Sequence, residues 1–332
     1  MSRRTASKIA PRTVAATATA SGAGSAERIA DLLRTLAVAE GVQPTAIAGV
    51  SLVRDSRPSP RRPVIYEPMI LFVGQGRKRA YVGGDVIGYD ADHYLVLSVP
   101  VPAECEVLAT AQEPLLGVKV AIEPALLAEL LVELDEHAPA ANAPMPRGIH
   151  ARPVQESMRD TLVRLLEALR SPRDARILGR SIVRELVYRV LQDEPGSGLR
   201  ALAARNDRFL RVARVLQHVH ADCTQPMGSA RLAKLAGMSV TTFHHAFKAV
   251  TATSPLQYVK SVRLHRARML MVNEGHTAAT AAAAVGYESA SQFGREWKRL
   301  FGNTPATEVA QLRARLVEDG AGSSRTRHGR RR

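Results

Sequence analysis

Residues 230–255, ARLAKLAGMSVTTFHHAFKAVTATSP, and residues 278–305, AATAAAAVGYESASQFGREWKRLFGNTP, carry one pattern twice. Internal repeats are worth seeking first, because they set the architecture. In each copy a small residue stands four before a glycine, Ala233 before Gly237 and Ala282 before Gly286. An apolar residue follows, Met238 or Tyr287, and a serine leads into the next segment, Ser239 or Ser289. Aromatic residues then recur four apart, Phe243 with Phe247 and Phe293 with Trp297, and Pro255 or Pro305 closes the copy. Two short helices crossing at close range need these residue types. The alanine lets the backbones approach, the glycine ends the first helix at positive φ, and the serine caps the second. Aromatics at i and i+4 share one buried face, which leaves the other face free for a major groove. A single copy would be weak evidence and is often mere helical-hairpin packing. Two matched copies predict tandem helix-turn-helix units at 228–249 and 277–301.

Between the copies, Leu256–Val272 reads as one helix with Pro255 near its first turn. At 1.5 Å per residue such a rod spans roughly 26 Å, enough to hold two recognition helices about one DNA turn apart. Val240, Thr241, His244, His245 and Lys248 lie off the aromatic face of the first recognition helix; Ser291, Gln292, Arg295 and Lys298 do so on the second. Glutamine suits adenine, and arginine suits guanine or phosphate. The His244–His245 pair is no metal site, since neighbours on a helix point apart and no Cys or acidic partner sits at ligand spacing.

Charge agrees with this placement. The 332 residues carry a formal net charge of +15. Residues 61–150 hold 7 Lys/Arg against 12 Asp/Glu, whereas residues 200–332 hold 22 against 8. A basic excess gathered in one part of the chain points to a polyanion there. Cys105 and Cys223 are far apart, which is no disulfide framework and fits a reducing cytoplasm. No apolar run is long enough to span a membrane. The alanine-rich N-terminus, broken by Pro11 and Arg12, reads as a tail and not as a signal peptide.

Upstream of the repeat the texture alternates. Residues 26–40 read as an amphipathic helix stopped at Gly41. From about 45 to 122, short β-rich runs punctuated by Gly and Pro predict a β-sandwich or barrel. Helical periodicity returns at 124–136, and again at 153–170 and 173–192 after a Pro/Ala loop; Gly196-Ser197-Gly198 reads as a linker. The last two helices could equally form a dimerising hairpin or an intramolecular pair packed on the sheet.

Taken together, LAKLAGMS, FKAVTATSPLQYVKSVRLHRARMLM and VGYESASQFGREWKRLFGNTP make residues 208–310 resemble the AraC/XylS family of bacterial transcription regulators. IYEP (65–68), QGRK (75–78), YD (89–90), YLVLSVPVP (94–102), EP (113–114) and LLAELL (126–131) resemble the N-terminal domain of one branch of it. There are departures: Trp297 where the family usually has Phe or Tyr, small residues at Ala246 and Gly294, and no aromatic-Arg close after Pro305. The resemblance implies an α+β chain with an N-terminal cupin-like β-barrel, flanking helices and a C-terminal all-α tandem helix-turn-helix domain. The expected divisions are a disordered tail at 1–25, a cupin-like effector or dimerisation domain at 26–135, a helical linker region at 136–199, the DNA-binding domain at 208–310 and a basic tail at 320–332.

The expected function is that of a cytoplasmic transcription activator. Its expected partners are double-stranded operator DNA, RNA polymerase, a small-molecule effector and a second copy of the chain, with no membrane and no cofactor. Tyr66, Met69, Leu71, Tyr81 and Tyr94 are candidates to line an effector site, although they could equally fill a solid core. His93 stands outside any His-x-His pattern, so no metal is expected there. An enzyme, either a cupin catalyst or a repair methyltransferase, would need a metal cluster or an activated cysteine, and neither pattern is present.

Overall fold

The β-rich stretch folds into strands of two kinds, some burying both faces and some only one. The computed structural model describes residues 20–134, 145–193, 198–203 and 207–314. Helix α1 (Ala20–Leu36) is followed by β1 (Gly41–Pro44), β2 (Val50–Asp55), β3 (Ser59–Tyr66), β4 (Met69–Gln75), β5 (Arg77–Val82), β6 (Asp85–Asp90), β7 (His93–Leu97), β8 (Val101–Leu108) and β9 (Leu115–Ala121). Next come α2 (Pro124–Glu133), β10 (Ile149–Pro153), α3 (Glu156–Ala168), α4 (Pro172–Asp193), α5 (Gly198–Ala203) and α6 (Asp207–Ala221). The strands form two antiparallel sheets, one ordered β1-β2-β9-β4-β7-β10 and the other β3-β8-β5-β6. The expected barrel is thus two facing sheets, not closed into a single hydrogen-bonded ring.

Met69, Leu71, Val73, Leu95 and Leu97 of the larger sheet face Ala80, Val82, Tyr89, Val101 and Cys105 of the smaller one. On the other side of the larger sheet, Ile70, Phe72, Tyr94, Val96 and Val118 pack against Leu33 of α1, Leu162 and Leu166 of α3 and Leu186 of α4. With both faces covered, these strands read as near-continuous apolar runs such as MILFV (69–73). The α3–α4 hairpin packs one face on the sheet within the chain. Residues 145–193 also belong to the sheet domain and not to a helical linker, because β10 pairs with β7. The Pro/Ala loop at 138–144, Gly196 and Ser197, the first nineteen residues of the N-terminal tail and the 320–332 tail lie outside the described residues.

The C-terminal helices are α7 (Ser229–Leu235), α8 (Val240–Thr251), α9 (Pro255–Asn273), α10 (Ala278–Ala284) and α11 (Ala290–Phe301), and residues 305–314 are helical. One continuous core joins them to the space between the sheets. At that seam Tyr258 of α9, buried, donates its hydroxyl to the Pro100 carbonyl at 3.0 Å and pairs with His220 Nε2 at 2.8 Å. Gly148 N–H donates to the Val250 carbonyl at 2.9 Å. Gly83, at φ +59, lies so close to Ala252 that a Cβ there would fall 2.4 Å from the Ala252 Cβ.

His265 of α9 is buried at this seam, edge-on to Phe301 at 5.3 Å and 3.1 Å from Arg268. Burial, and then the Arg268 charge, hold its pKa down from 6.5 to about 3. The unfolded chain therefore takes up a proton below pH 6.5 that the folded chain refuses. The contribution to stability is intact above that pH and is lost as pH falls toward 3, at up to about 1.4 kcal/mol per pH unit. Urea melts between pH 7 and 5 should show a steeper loss for the native chain than for His265→Leu. Equal slopes would remove His265 from the acid sensitivity.

Candidate nucleic-acid interface

The two repeat copies fold alike because their punctuation is alike. Gly237 ends α7 at φ +60 and Gly286 follows α10 at φ +81, the conformation that glycine adopts without strain. Met238 N–H returns to the Ala233 carbonyl and Tyr287 N–H to the Ala282 carbonyl, each at 3.0 Å. Ser239 Oγ accepts from the Thr242 N–H at 3.2 Å and Ser289 Oγ from the Gln292 N–H at 3.3 Å, capping α8 and α11. Ala233 and Ala282 are buried. Phe243 and Phe247 are buried with ring centroids 5.3 Å apart, and Phe293 and Trp297 repeat this at 5.3 Å.

With the aromatic face buried, the opposite face is left to solvent. Val240, Thr241, His245 and Lys248 are exposed on α8, and His244 is half-buried, edge-on to Phe243. Ser291, Gln292, Arg295 and Lys298 are exposed on α11. Every residue picked from the spacing thus lies off the packed face. What holds the two units together is invisible in the spacing. Arg263, in the middle of α9, donates to the carbonyls of Cys223 at 2.7 Å, Gln225 at 2.9 Å and Thr224 at 3.4 Å, all ahead of α7. Its other Nη donates to the Gly286 carbonyl at 3.2 Å, in the turn of the second unit. Gly286 is pressed against the same loop, where a Cβ would come 2.5 Å from the Thr224 oxygen.

A second tie runs from α9 to α11. Glu296 accepts from Lys260 Nζ at 2.7 Å, from the Tyr287 hydroxyl at 2.7 Å and from Gln292 Nε2 at 3.1 Å. Burial raises the Glu296 carboxyl, but the hydrogen bonds from Lys260, Tyr287 and Gln292 outweigh it and leave the pKa below the ordinary value. Sequence reasoning missed Arg263, Lys260, Tyr287 and Glu296 as parts of the interface. Only the four-residue spacing of Gln292 and Glu296 could have signalled any of this.

The five candidates for an effector site do not converge. Tyr66, Met69 and Leu71 lie between the sheets, with the Tyr66 and Tyr89 hydroxyls 3.0 Å apart. Burial, and then each other's proximity, keep the Tyr66 hydroxyl well above its ordinary pKa. Tyr81 points out of the smaller sheet, donating to Glu106 at 2.8 Å under the Arg61 guanidinium, 4.2 Å from its ring centre. Tyr94 points to the helices, stacked on Phe72 at 5.4 Å and bonded to Asp193 at 2.8 Å. Tyr81 and Tyr94 are therefore corrected as lining residues, since side chains alternate along a strand and here both directions find partners. A cleft of about 480 Å³ lies instead between the two domains, with Ser59 and Arg62 on one side and Arg268, Met269, Val272 and Leu312 on the other. Cys105 is buried between the sheets, and burial raises the Cys223 thiol, the opposite of an activated nucleophile. Among the described residues no three His, Cys, Asp or Glu gather to hold a metal ion.

Family models agree with this division. The model of the AraC-type transcriptional regulator N-terminus matches residues 46–197, and a helix-turn-helix domain model matches residues 232–311. Among solved structures, unsaturated fatty acid bound wild-type ToxT from Vibrio cholerae strain SCE256 is similar, with a TM-score of 0.52 and 11% identity, over 79% of this chain and 93% of that one. ToxT from Vibrio cholerae O395 bound to (E)-4-(8-methylnaphthalen-1-yl)but-3-enoic acid has a TM-score of 0.50 and 10% identity, over 79% of this chain and 98% of that one. At such identities the likeness establishes the two-domain fold. No curated protein matches the chain in sequence.

Arg263→Ala would leave these carbonyls without their shared donor, and is expected to cost at least about 2 kcal/mol in unfolding free energy. Arg295→Ala, on the exposed face of α11, should stay within about 0.5 kcal/mol of the native chain. Equal losses in urea melts would show that the two faces have been assigned wrongly.

Proposed function

Because this chain belongs to the AraC-type family of transcriptional regulators, we propose that α8 and α11 enter successive major grooves of double-stranded DNA as its recognition helices. The observation that carries this reading is a pair of serine-capped helices, each with a free polar face, joined by α9 and tied by the single guanidinium of Arg263. The 19 residues of α9 span about 28 Å, close to one turn of DNA. On α8, Val240, Thr241, His244 and His245 meet base edges or sugars, and Lys248 meets phosphate. On α11, Ser291, Gln292 and Arg295 meet bases, and Lys298 meets phosphate.

Transcription activation, with RNA polymerase as the protein partner, and a cytoplasmic location belong to the same reading and rest on the family. No helix among the described residues is long and apolar enough to cross a membrane. Binding as a dimer is supported by the outer face of α4, where Ile177 and Leu178 are exposed together. Binding of full-length protein to DNA upstream of its own gene should fall roughly 10³-fold or more between 50 and 200 mM salt if about six phosphates are contacted. Arg295→Ala should cost about 1–3 kcal/mol of that binding. A wild-type chain that shows no preference over random DNA at either salt would overturn the proposal.

The chain is further proposed to respond to a small organic acid. Both ligands named in the ToxT structures are acids, and the interdomain cleft presents Arg62 and Arg268 beside the apolar Met269, Val272 and Leu312. Arg268 is largely buried, its guanidinium 4.7 Å from the centre of the Phe301 ring. Glu308 already pairs with Arg268 at 3.5 Å, and Glu40 and Asp55 also line the cleft, so an acid seated there would share Arg268 and take Arg62 as its second cation. The competing site, around Tyr66, Met69 and Leu71, lies in the packed layer between the sheets. A thermal-shift screen of fatty and aryl-alkenoic acids should find a ligand that stabilises by about 2.7 kcal/mol at 100 times its Kd. Arg62→Ala should abolish the shift; a shift that survives Arg62→Ala but is lost in Leu71→Ala would move the site between the sheets.

A further inference from the structure

Gln292 is the third residue of α11 after its serine cap, in the part of a recognition helix that reaches base edges. Its side chain is exposed, yet it is not free. Nε2 donates to Glu296 Oε1 at 3.1 Å, one helical turn on. The partner is itself anchored, with only 11% of its side chain exposed, by Lys260 from α9 on Oε1 and by the Tyr287 hydroxyl on Oε2. An ionised carboxylate only accepts, so the amide of Gln292 has one permitted orientation, nitrogen toward Glu296.

We propose that Glu296 is a positioning residue for base selection, holding the Gln292 amide so that it accepts adenine and refuses guanine. A glutamine amide has two N–H donors and one carbonyl acceptor. With one N–H held by Glu296, the amide offers one donor and one acceptor to the groove. That pair complements adenine, whose major-groove edge shows the N7 acceptor and the N6 donor. Guanine shows two acceptors, N7 and O6, and would require both N–H groups. The hydrogen bond to Glu296 withdraws the second donor and so removes the guanine mode. It also fixes a flexible side chain before DNA arrives, which lowers the ordering cost of binding. Glu296 reaches no base itself, and acts through Gln292. Lys260 and Tyr287 keep the carboxylate in place, so the connecting helix contributes to base choice without entering the groove.

The inference rests on the proposal that α11 reads DNA, and the experiment separates the two. Full-length wild-type protein, Gln292→Ala, Glu296→Met and the double variant are each put through selection from a random duplex library. Dissociation constants are then measured for sites differing only at the position that Gln292→Ala disturbs. Wild type should prefer adenine over guanine there by about tenfold or more, within the range of one bidentate contact. Glu296→Met, which keeps length but not the acceptor, should bring that ratio to about threefold or less, with preferences at other positions intact. In the Gln292→Ala background, Glu296→Met should change the ratio no further. A Glu296→Met chain that is folded and keeps the wild-type ratio would overturn the proposal. So would one that weakens every position equally, or a Gln292→Ala chain with no change at any base. If Glu296→Met does not fold, Glu296→Ala is read by the same criteria. If the wild-type chain selects no motif, the reading of α11 as a recognition helix fails instead.

Discussion

The guanidinium of Arg263 joins the loop that leads into the first helix-turn-helix unit to the turn of the second. Each unit alone is a short pair of helices with a small aromatic core, Phe243 and Phe247 in one and Phe293 and Trp297 in the other. Helices of such length have little stability by themselves and depend on tertiary contacts. Arg263 sits between them on α9 and binds backbone carbonyls from both sides. Carbonyls are the right partners for this purpose. They are fixed by the fold, so the tie transmits position and not merely attraction. The planar fork of arginine holds five N–H donors in fixed directions, whereas a lysine offers three from a single point. The close approach at Gly286 follows from the same contact, because the loop that supplies Thr224 must come within reach of Arg263.

The β-rich domain completes the frame. Its smaller sheet and the helices share one apolar core, and polar contacts at Tyr258, Gly148 and Arg268 cross the seam. Tyr258 contacts both domains through one hydroxyl, donating to Pro100 while paired with His220. Burial holds His220 below its ordinary pKa, so the imidazole is neutral at physiological pH and can pair with the hydroxyl without bringing a charge into the core. The cleft with Arg62 and Arg268 opens on this seam, so a molecule seated there touches both domains at once. It would bear on α9, the element that spaces the recognition helices.

The features legible in the sequence are local. Helix stops at Gly237 and Gly286, caps at Ser239 and Ser289, and aromatic pairs at four-residue spacing are each decided within one turn of chain, and the structure holds all of them. The exposed faces of α8 and α11 follow from those pairs by geometry alone. In the β-rich half, strands could be read from texture, but facing could not. MILFV is apolar at every position, because one set of side chains meets the other sheet and the alternate set meets the helices. Alternation carries no sign there, so the sequence leaves open which of the candidate tyrosines face inward; Tyr81 lies on the outer face of its sheet and Tyr94 against the helices. Strand β10 was missed since it is short and its pairing partner β7 lies more than fifty residues earlier. Arg263 was passed over for the same reason: its partners lie 23 to 40 residues away, and nothing near it in sequence announces them.

The contact between Gly83 and Ala252 bears on how such proteins change over evolutionary time. Ala252 is the one non-glycine residue at positive φ among the described residues, and its methyl group occupies the space that a side chain at position 83 would need. The two positions belong to different domains, yet their sizes are coupled. A β-rich domain exchanged for one with a larger residue at the equivalent of Gly83 would meet the Ala252 methyl and backbone, and the seam would have to shift. The two domains are thus sterically matched at this point. Exchange of either domain alone therefore requires a compensating change at the seam.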